Sequence, residues 1–345
     1  MGTVRTGWED RFCLSTQTTG ISTPGTFTAT DNGIGAAPGA GACGLLLNSH
    51  PNFEAGKVQD FADKSTGIAE NKYDTGNVYE YTDGRRQPTV SLEMGLTAPR
   101  LATFLWLLCQ KGASEEEGDD KTFIVPTAGN SGCEVWASIG RAIGAGTAAD
   151  GHAIHGAVCN QLQISGNNGE RVNLTANMTG KTMVTNFNHT ASNFDIDTGG
   201  EEMFFDFTTM TLAGTSIVNF AESFSLDISN NMAARFYGGQ TPSAYVLQKF
   251  TTSGNIKLAM SADTVGDNKQ IDNFVAGTDV ALVLSKGLSG ASGYISITLN
   301  CLYTGASVDP AEELLLDLPF DCVNDGTNAS FSIVVNDGLT RAIPA

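Results

Sequence analysis

Apolar residues recur at every second position in many short stretches of this chain. Phe224, Leu226 and Ile228 alternate with Ser223, Ser225, Asp227 and Ser229. Val90, Leu92 and Met94 alternate with Thr89, Ser91 and Glu93. Val172, Leu174, Ala176 and Met178 alternate with Arg171, Asn173, Thr175 and Asn177, and Leu162 and Ile164 with Gln161 and Gln163. A period of two places one face of a strand on a core and the other on water or a wet contact. Ile256, Leu258 and Met260, then Val280, Leu282 and Leu284, repeat the pattern. Further short strands are expected at Phe123–Val125, Glu134–Ile139, Phe204–Leu212, Tyr245–Phe250, Tyr294–Leu302, Glu313–Pro319 and Ser330–Val335. Turn formers separate them: Asp83-Gly84, Gly166–Gly169, Asn230-Asn231 and Asn336-Asp337-Gly338. Gly140–Gly151 is small and is expected as an exposed loop.

Two stretches change to helical spacing. Thr97 and Pro99 open a helix over Pro99–Gln110 that carries Leu101, Phe104, Leu105 and Leu108, with Gly112 just beyond it. Asp267 is placed as an N-cap with Gln270 at the capping-box position, Ile271, Phe274 and Val275 follow, and Gly277 is a natural stop. The two strand–helix units superpose without a gap: Met94 falls on Met260 (260 − 94 = 166), Leu92 on Leu258, Leu108 on Phe274 and Cys109 on Val275. The fold class is therefore mainly β, in two tandem domains, each with a short flanking α-helix. The boundaries expected are an extended arm over 1–50, a first β domain over 51–184, a polar linker over 185–202 and a second β domain over 203–345.

Composition narrows the functional classes. The chain has 345 residues, with 19 Lys+Arg against 37 Asp+Glu and a formal net charge of −18. So acidic a surface repels phosphate backbones and offers no footprint for tight nucleic-acid binding. Seven cysteines (Cys13, Cys43, Cys109, Cys133, Cys159, Cys301 and Cys322) are odd in number and show no CxxC spacing. This argues against a disulfide framework and a zinc site, and for reduced thiols. Met1–Arg11 is charged without an apolar core, and the apolar run Leu101–Cys109 is too short to span a bilayer. Cytoplasmic synthesis without membrane anchoring is expected.

Candidate chemistry is sparse. Glu115–Asp120 is acidic but lacks the alternation of a calcium loop, and Asp195, Asp197, Glu201 and Glu202 form an incomplete series. His152 and His155 have no evident third ligand, and no nucleophile elbow is present. No catalytic residue, metal site or cofactor is assigned, and an enzyme is the weakest reading. A glycan- or receptor-binding β-sandwich is the stronger alternative; its mark is exposed aromatics in loops, whereas Trp8, Trp106 and Trp136 fall in the arm, a helix and a strand. A capsid or decoration protein is a further alternative.

Three motifs in the second half carry a resemblance: Glu222–Asn231, a strand ending in paired Asn; the strand Gly254–Asp263 with its helix to Gly277; and Asp317-Leu318-Pro319-Phe320-Asp321-Cys322 with the strand Ala329–Val335. With the hairpin His155–Lys181, they make the chain resemble the tail tube proteins of tailed bacteriophages, over roughly Phe53 to Asp337. The resemblance implies tube-like β-sandwich or barrel domains whose inner sheets join between subunits around a channel, and rings that stack into a conduit for the genome. A duplicated subunit would form a trimeric pseudo-hexamer, with a hexamer as the alternative. Partners would be further copies of the chain, other tail proteins and DNA in transit without specific binding. The setting would be the virion tail, assembled in the host cytoplasm. The candidate lumen-facing residues are Glu93, Gln161, Gln163, Asn173, Asn177 and Asp227, with Lys257 an exception to the acidic pattern. The segment Thr16–Gly44, including Thr16, Phe27 and Asp31, is the candidate inter-ring arm.

Overall fold

A computed structural model describes residues 10–17, 32–33, 43–45, 47–49, 51–55, 57–60, 82–110, 120–125, 136–143, 151–187, 202–260, 267–309 and 314–338. Phe27, Asp31, the acidic run before Asp120, Gly112, Asp195, Asp197 and Glu201 lie outside them. The elements of the first half are Asp10–Gln17 (β1), Asn32–Gly33 (β2), Cys43–Leu45 (β3), Lys57–Asp60 (β4), Thr82–Arg86 (β5), Thr89–Gly95 (β6), Ala98–Cys109 (α1), Lys121–Ile124 (β7), Trp136–Ile143 (β8), Gly151–Asn167 (β9), Asn173–Thr179 (β10) and Thr182–Phe187 (β11). Those of the second half are Thr209–Leu212 (β12), Thr215–Ser216 (β13), Ala221–Ser229 (β14), Ala233–Arg235 (β15), Ala244–Val246 (β16), Thr251–Ala259 (β17), Asp267–Ala276 (α2), Val280–Lys286 (β18), Tyr294–Tyr303 (β19), Ser307–Asp309 (β20), Leu315–Cys322 (β21) and Phe331–Asn336 (β22). The fold is mainly β, and eighteen strands form one hydrogen-bonded antiparallel network.

The alternating stretches become strands with the expected buried faces. Leu92, Met94, Leu174, Ala176, Leu226 and Ile228 are buried and join one core. The same core holds Leu101, Phe104, Leu105 and Leu108 of α1. Thr97 caps that helix by accepting a hydrogen bond from the Arg100 amide at 3.3 Å. It ends one residue earlier than expected, with Gln110 in the left-handed region at φ 52°. The Gln110 side chain donates to the Leu107 carbonyl at 2.6 Å and so satisfies one orphan group of the last turn. α2 ends as expected: Gly277 has φ 63°, its amide donates to Phe274 O, and the Thr278 amide donates to Asn273 O. Those two bonds are a Schellman motif. Gln270 departs from the capping-box expectation. The helix already begins at Asp267, and Gln270 is buried, accepting from Tyr303 Oη at 2.8 Å.

Pairings repeat between the halves. β6 pairs β10, β10 pairs β9, and β9 also pairs β8 and β11. In the same order β17 pairs β21, β21 pairs β20 and the end of β19, and β19 also pairs β18 and β22. Even the irregularities match. The β9·β10 register slips between Gln161 and Cys159, and the β19–β20 line breaks over 304–306, opposite Pro319, which has no N–H to offer.

β9 is longer than the alternation suggests. It starts at Gly151, inside the stretch expected as a loop, and runs seventeen residues. Its first part, Gly151–Cys159, is almost continuously buried on both faces, so no period of two marks it. Conversely, the stretch 204–208 is irregular, with Phe205 and Phe207 buried edge-to-face at 5.6 Å. β16 is confined to Ala244–Val246. Within the expected arm, β1 pairs all eight of its residues with β8, so this part is built into the chain's own sheet.

Candidate functional site

The halves meet through β9 and β14, which pair over seven residues from Ser223 opposite Asn167 to Ser229 opposite Gln161. This pairing makes one row of strands in the order β6, β10, β9, β14, β17, β21, β20. Residues directly opposite each other share a face. One line across the row is therefore Glu93, Thr175, Gln163, Asp227, Ser253 and Asp321. Another is Ser91, Asn177, Gln161, Ser229 and Thr251. A third contains Asn173, Ser165, Ser225 and Asn255, and a fourth runs Asn167, Ser223, Lys257, Asp317 and Ser307. Between them lie the apolar lines, such as Met94, Leu174, Ile164, Leu226 and Phe320, which turn into the core.

All six residues singled out from the sequence, Glu93, Gln161, Gln163, Asn173, Asn177 and Asp227, thus lie on one continuous polar face. The Asp227 carboxylate accepts from Gln163 Nε2 at 2.8 Å and from Gln161 Nε2. Asn177 Nδ2 donates to Gln161 Oε1 at 2.8 Å. This amide chain crosses the junction between the halves and fixes the orientation of each member. Glu93 accepts from Ser49 Oγ at 2.9 Å, and Asn173 from Asn48 Nδ2 at 3.1 Å. Glu93, Asp227, Asp317 and Asp321 give the face a negative sign; Lys257 lies opposite Asp317, and Arg171, in phase with Asn173, is paired with Glu202. Such a surface repels a polyanion and offers it hydroxyls and amides without a charged anchor.

Several polar residues outside the face turn out to be structural. Glu202, one of the acidic residues of the linker, bonds Arg171 at 2.5 Å and lies 3.6 Å from the buried Arg100. A guanidinium pair therefore occupies the carboxylate that the sequence suggested for a cation. Gly95 permits this approach, since a Cβ there would lie 2.7 Å from the Glu202 carboxyl carbon. Asp120, the last residue of the acidic run, accepts from Ser289 Oγ, Gly290 N and Asn336 Nδ2. Burial pushes its carboxyl up, but the hydrogen bonds outweigh that and hold it below the ordinary carboxylate range. His155 Nδ1 lies 2.9 Å from Ser138 Oγ, yet both are buried within the sheet, and burial lowers the imidazole pKa. Among the described residues no cluster of His, Cys, Asp and Glu forms a metal site, and no helix is long and apolar enough to cross a membrane. Trp106 and Trp136 are buried, the latter against Tyr245 at 5.8 Å.

The residue that sequence reasoning undervalued is Asn230. The sequence marks it only as a strand breaker, but it is wholly buried where α1, β9 and β14 converge. Its Nδ2 donates to Leu108 O at 2.9 Å and Cys159 O at 2.8 Å, and its Oδ1 accepts from Met232 N at 3.2 Å. The only local hint was its place beside Asn231, which takes the left-handed turn at φ 48°. Of the arm candidates, Thr16 lies in β1 opposite Ala137 and Asn32.

A family model described as phage tail tube protein matches residues 18–322. No curated protein matches the chain.

Proposed function

The chain belongs to the phage tail tube protein family, and from that premise we propose that its continuous polar face lines the bore of a tail tube. Membership makes it a structural component of the virion tail that assembles with itself and with other tail proteins. The work of such a component is physical, not catalytic: it holds a passage open and keeps DNA from sticking. The observation that carries the reading is the line Glu93, Thr175, Gln163, Asp227, Ser253 and Asp321, polar across both halves and backed by apolar lines facing the core. Acidic and amide groups there let phosphates slide past.

The chain acts as two tandem tube-like units, 51–184 and 203–345, joined by 185–202. Ring size follows from strand geometry. The row has eight strand positions once the strand from Glu54 through β4, bridged to Thr89 of β6, is included. At a spacing of about 4.8 Å and a tilt of about 40°, two chains close at about 32 Å between backbone walls and three at about 48 Å. Side chains on the two walls take up about 10 Å of that. Two chains leave too little room for a hydrated duplex, three leave ample room, and six would close at about 96 Å, far wider than a duplex needs, so a trimeric pseudo-hexamer is favoured over a hexamer of chains. The segment Thr16–Gly44, with Thr16, Phe27 and Asp31, is our candidate for the contact between rings. Assembly takes place in the host cytoplasm.

The test is to assemble the purified chain carrying Glu93→Cys, biotinylate it, add streptavidin-gold and examine it by electron microscopy, with the unaltered chain as baseline. Gold at tube ends only is expected, because streptavidin does not pass down the bore. Gold along the tube walls would place this face outside and refute the assignment.

A further inference from the structure

The row of strands has two ends. At one end lies β20, which among the described residues pairs only β21. At the other lies β4, which pairs β5, extended by the bridge between Glu54 and Thr89. Antiparallel edges with free N–H and C=O groups are templates for a further strand. The internal junction β9·β14 is already one solution to joining such ends.

The repeated pairings identify what each end corresponds to. Gln161 and Leu162 of β9 lie opposite Asn177 and Ala176, while Ser307 and Val308 of β20 lie opposite Asp317 and Leu316. β20 is therefore the counterpart of the part of β9 that receives β14. Ser225 lies opposite Asn255 in β17, and Glu54 lies opposite Thr89, the residue that superposes on Asn255. The strand from Glu54 through β4 is thus the counterpart of β14.

Burial shows what is missing at the second site. Leu162, Leu174, Leu108 and Cys109 surround the internal junction and are 0%, 0%, 0% and 1% exposed. Their counterparts Val308, Leu314, Phe274 and Val275 are 41%, 51%, 37% and 78% exposed. In the first set Leu162 lies opposite Ile228 of β14, and Asn230, which follows β14, donates to Leu108 O. The second set is the same apolar surface without its cover.

We propose that a second copy of this chain supplies that cover, docking its Glu54–β4 edge on β20 beside α2, in the register of the internal β9·β14 junction. Gln161 lies opposite Ser229 inside the chain. Carried over, Ser307 of one copy lies opposite Val58 of the next. The contact is head-to-tail, so it repeats from copy to copy and closes a ring when the rotation allows. This inference rests on the reading of the chain as a ring-former and specifies which surfaces meet.

The test uses the full chain. A chain carrying both Ser307→Cys and Val58→Cys is oxidised after assembly and run without reductant, as are the two single variants, separately and mixed. Val308→Glu and Val275→Glu are examined by electron microscopy and mass photometry. Both side chains are already exposed in the single chain, so these variants are expected to melt like the unaltered protein. The expected results are dimers and higher species from the double variant, dimers from the mixed singles, none from either single alone, and at least a tenfold rise in the concentration at which the glutamate variants assemble. Rings from the unaltered chain and from both glutamate variants alike, with no cross-link, would overturn this contact and leave the ring-forming role standing. Failure of the unaltered chain to assemble at any concentration would overturn both.

Discussion

Replacing Asn230 by alanine probes the joint on which both halves depend. The side chain is wholly buried and makes three hydrogen bonds: two donated to Leu108 O and Cys159 O, and one accepted from Met232 N. Leu108 O belongs to the last turn of α1, where carbonyls have no partner within the helix. Each bond contributes about 1 kcal/mol net, and each buried group left bare costs about 1–3 kcal/mol. Asn230→Ala is therefore expected to lose about 3–5 kcal/mol, a large share of a typical total of about 5–15 kcal/mol. Equilibrium urea unfolding reads this directly, with the buried Trp106 on α1 and Trp136 on β8 as fluorescence reporters. Asn230→Asp sharpens the test, since it keeps the shape but loses the amide donor that faces two carbonyls. Burial beside those carbonyls raises the introduced carboxyl above its unfolded value of about 3.9. Its neutral form is retained below that value, so the variant is least impaired there and loses stability as pH rises toward the folded pKa. A loss under about 1 kcal/mol for Asn230→Ala, or an Asn230→Asp deficit that does not grow with pH, would refute this account of the joint.

The Lys121–Asp337 pair, 2.5 Å apart with both side chains buried, should lose about 3–5 kcal/mol when Asp337 becomes alanine. Lys121→Met combined with Asp337→Leu should recover most of it in a double-mutant cycle followed by urea unfolding. Gly254→Ala brings a Cβ against Ser225 O and to 2.6 Å from Phe320 Cζ, so a loss of about 2 kcal/mol or more is expected in thermal unfolding. Because Asp120 has a lowered pKa, its contribution is present above about pH 3.9 and is lost as pH falls through its folded value. The stability gap between the unaltered chain and Asp120→Asn should accordingly narrow on acidification from about pH 5, as urea midpoints will show. Converting Glu93 and Asp321 together to lysine should leave tubes that retain duplex DNA in a salt-dependent way, measured by co-sedimentation, where unaltered tubes retain none.

The strands and their faces were legible from the sequence because alternation is local. A buried Leu92 and an outward Glu93 follow from one strand alone. The same holds for the ends of α1 and α2, where Thr97 and Gly277 act through bonds within a few residues. The long first part of β9 was not legible, because residues buried on both faces show no period. Nor was the role of Glu202 beside Arg100 and Arg171, which depends on segments far apart in the chain. Six polar residues could be nominated from separate strands, but only the pairings of β6 with β10, β10 with β9 and β9 with β14 put them on one surface. Likewise α1 and α2 share a pattern in sequence, yet one is buried and the other shows Phe274 and Val275 to solvent. Which edge meets which is decided by backbone N–H and C=O groups that every residue but proline carries alike, so it leaves no mark in the order of side chains.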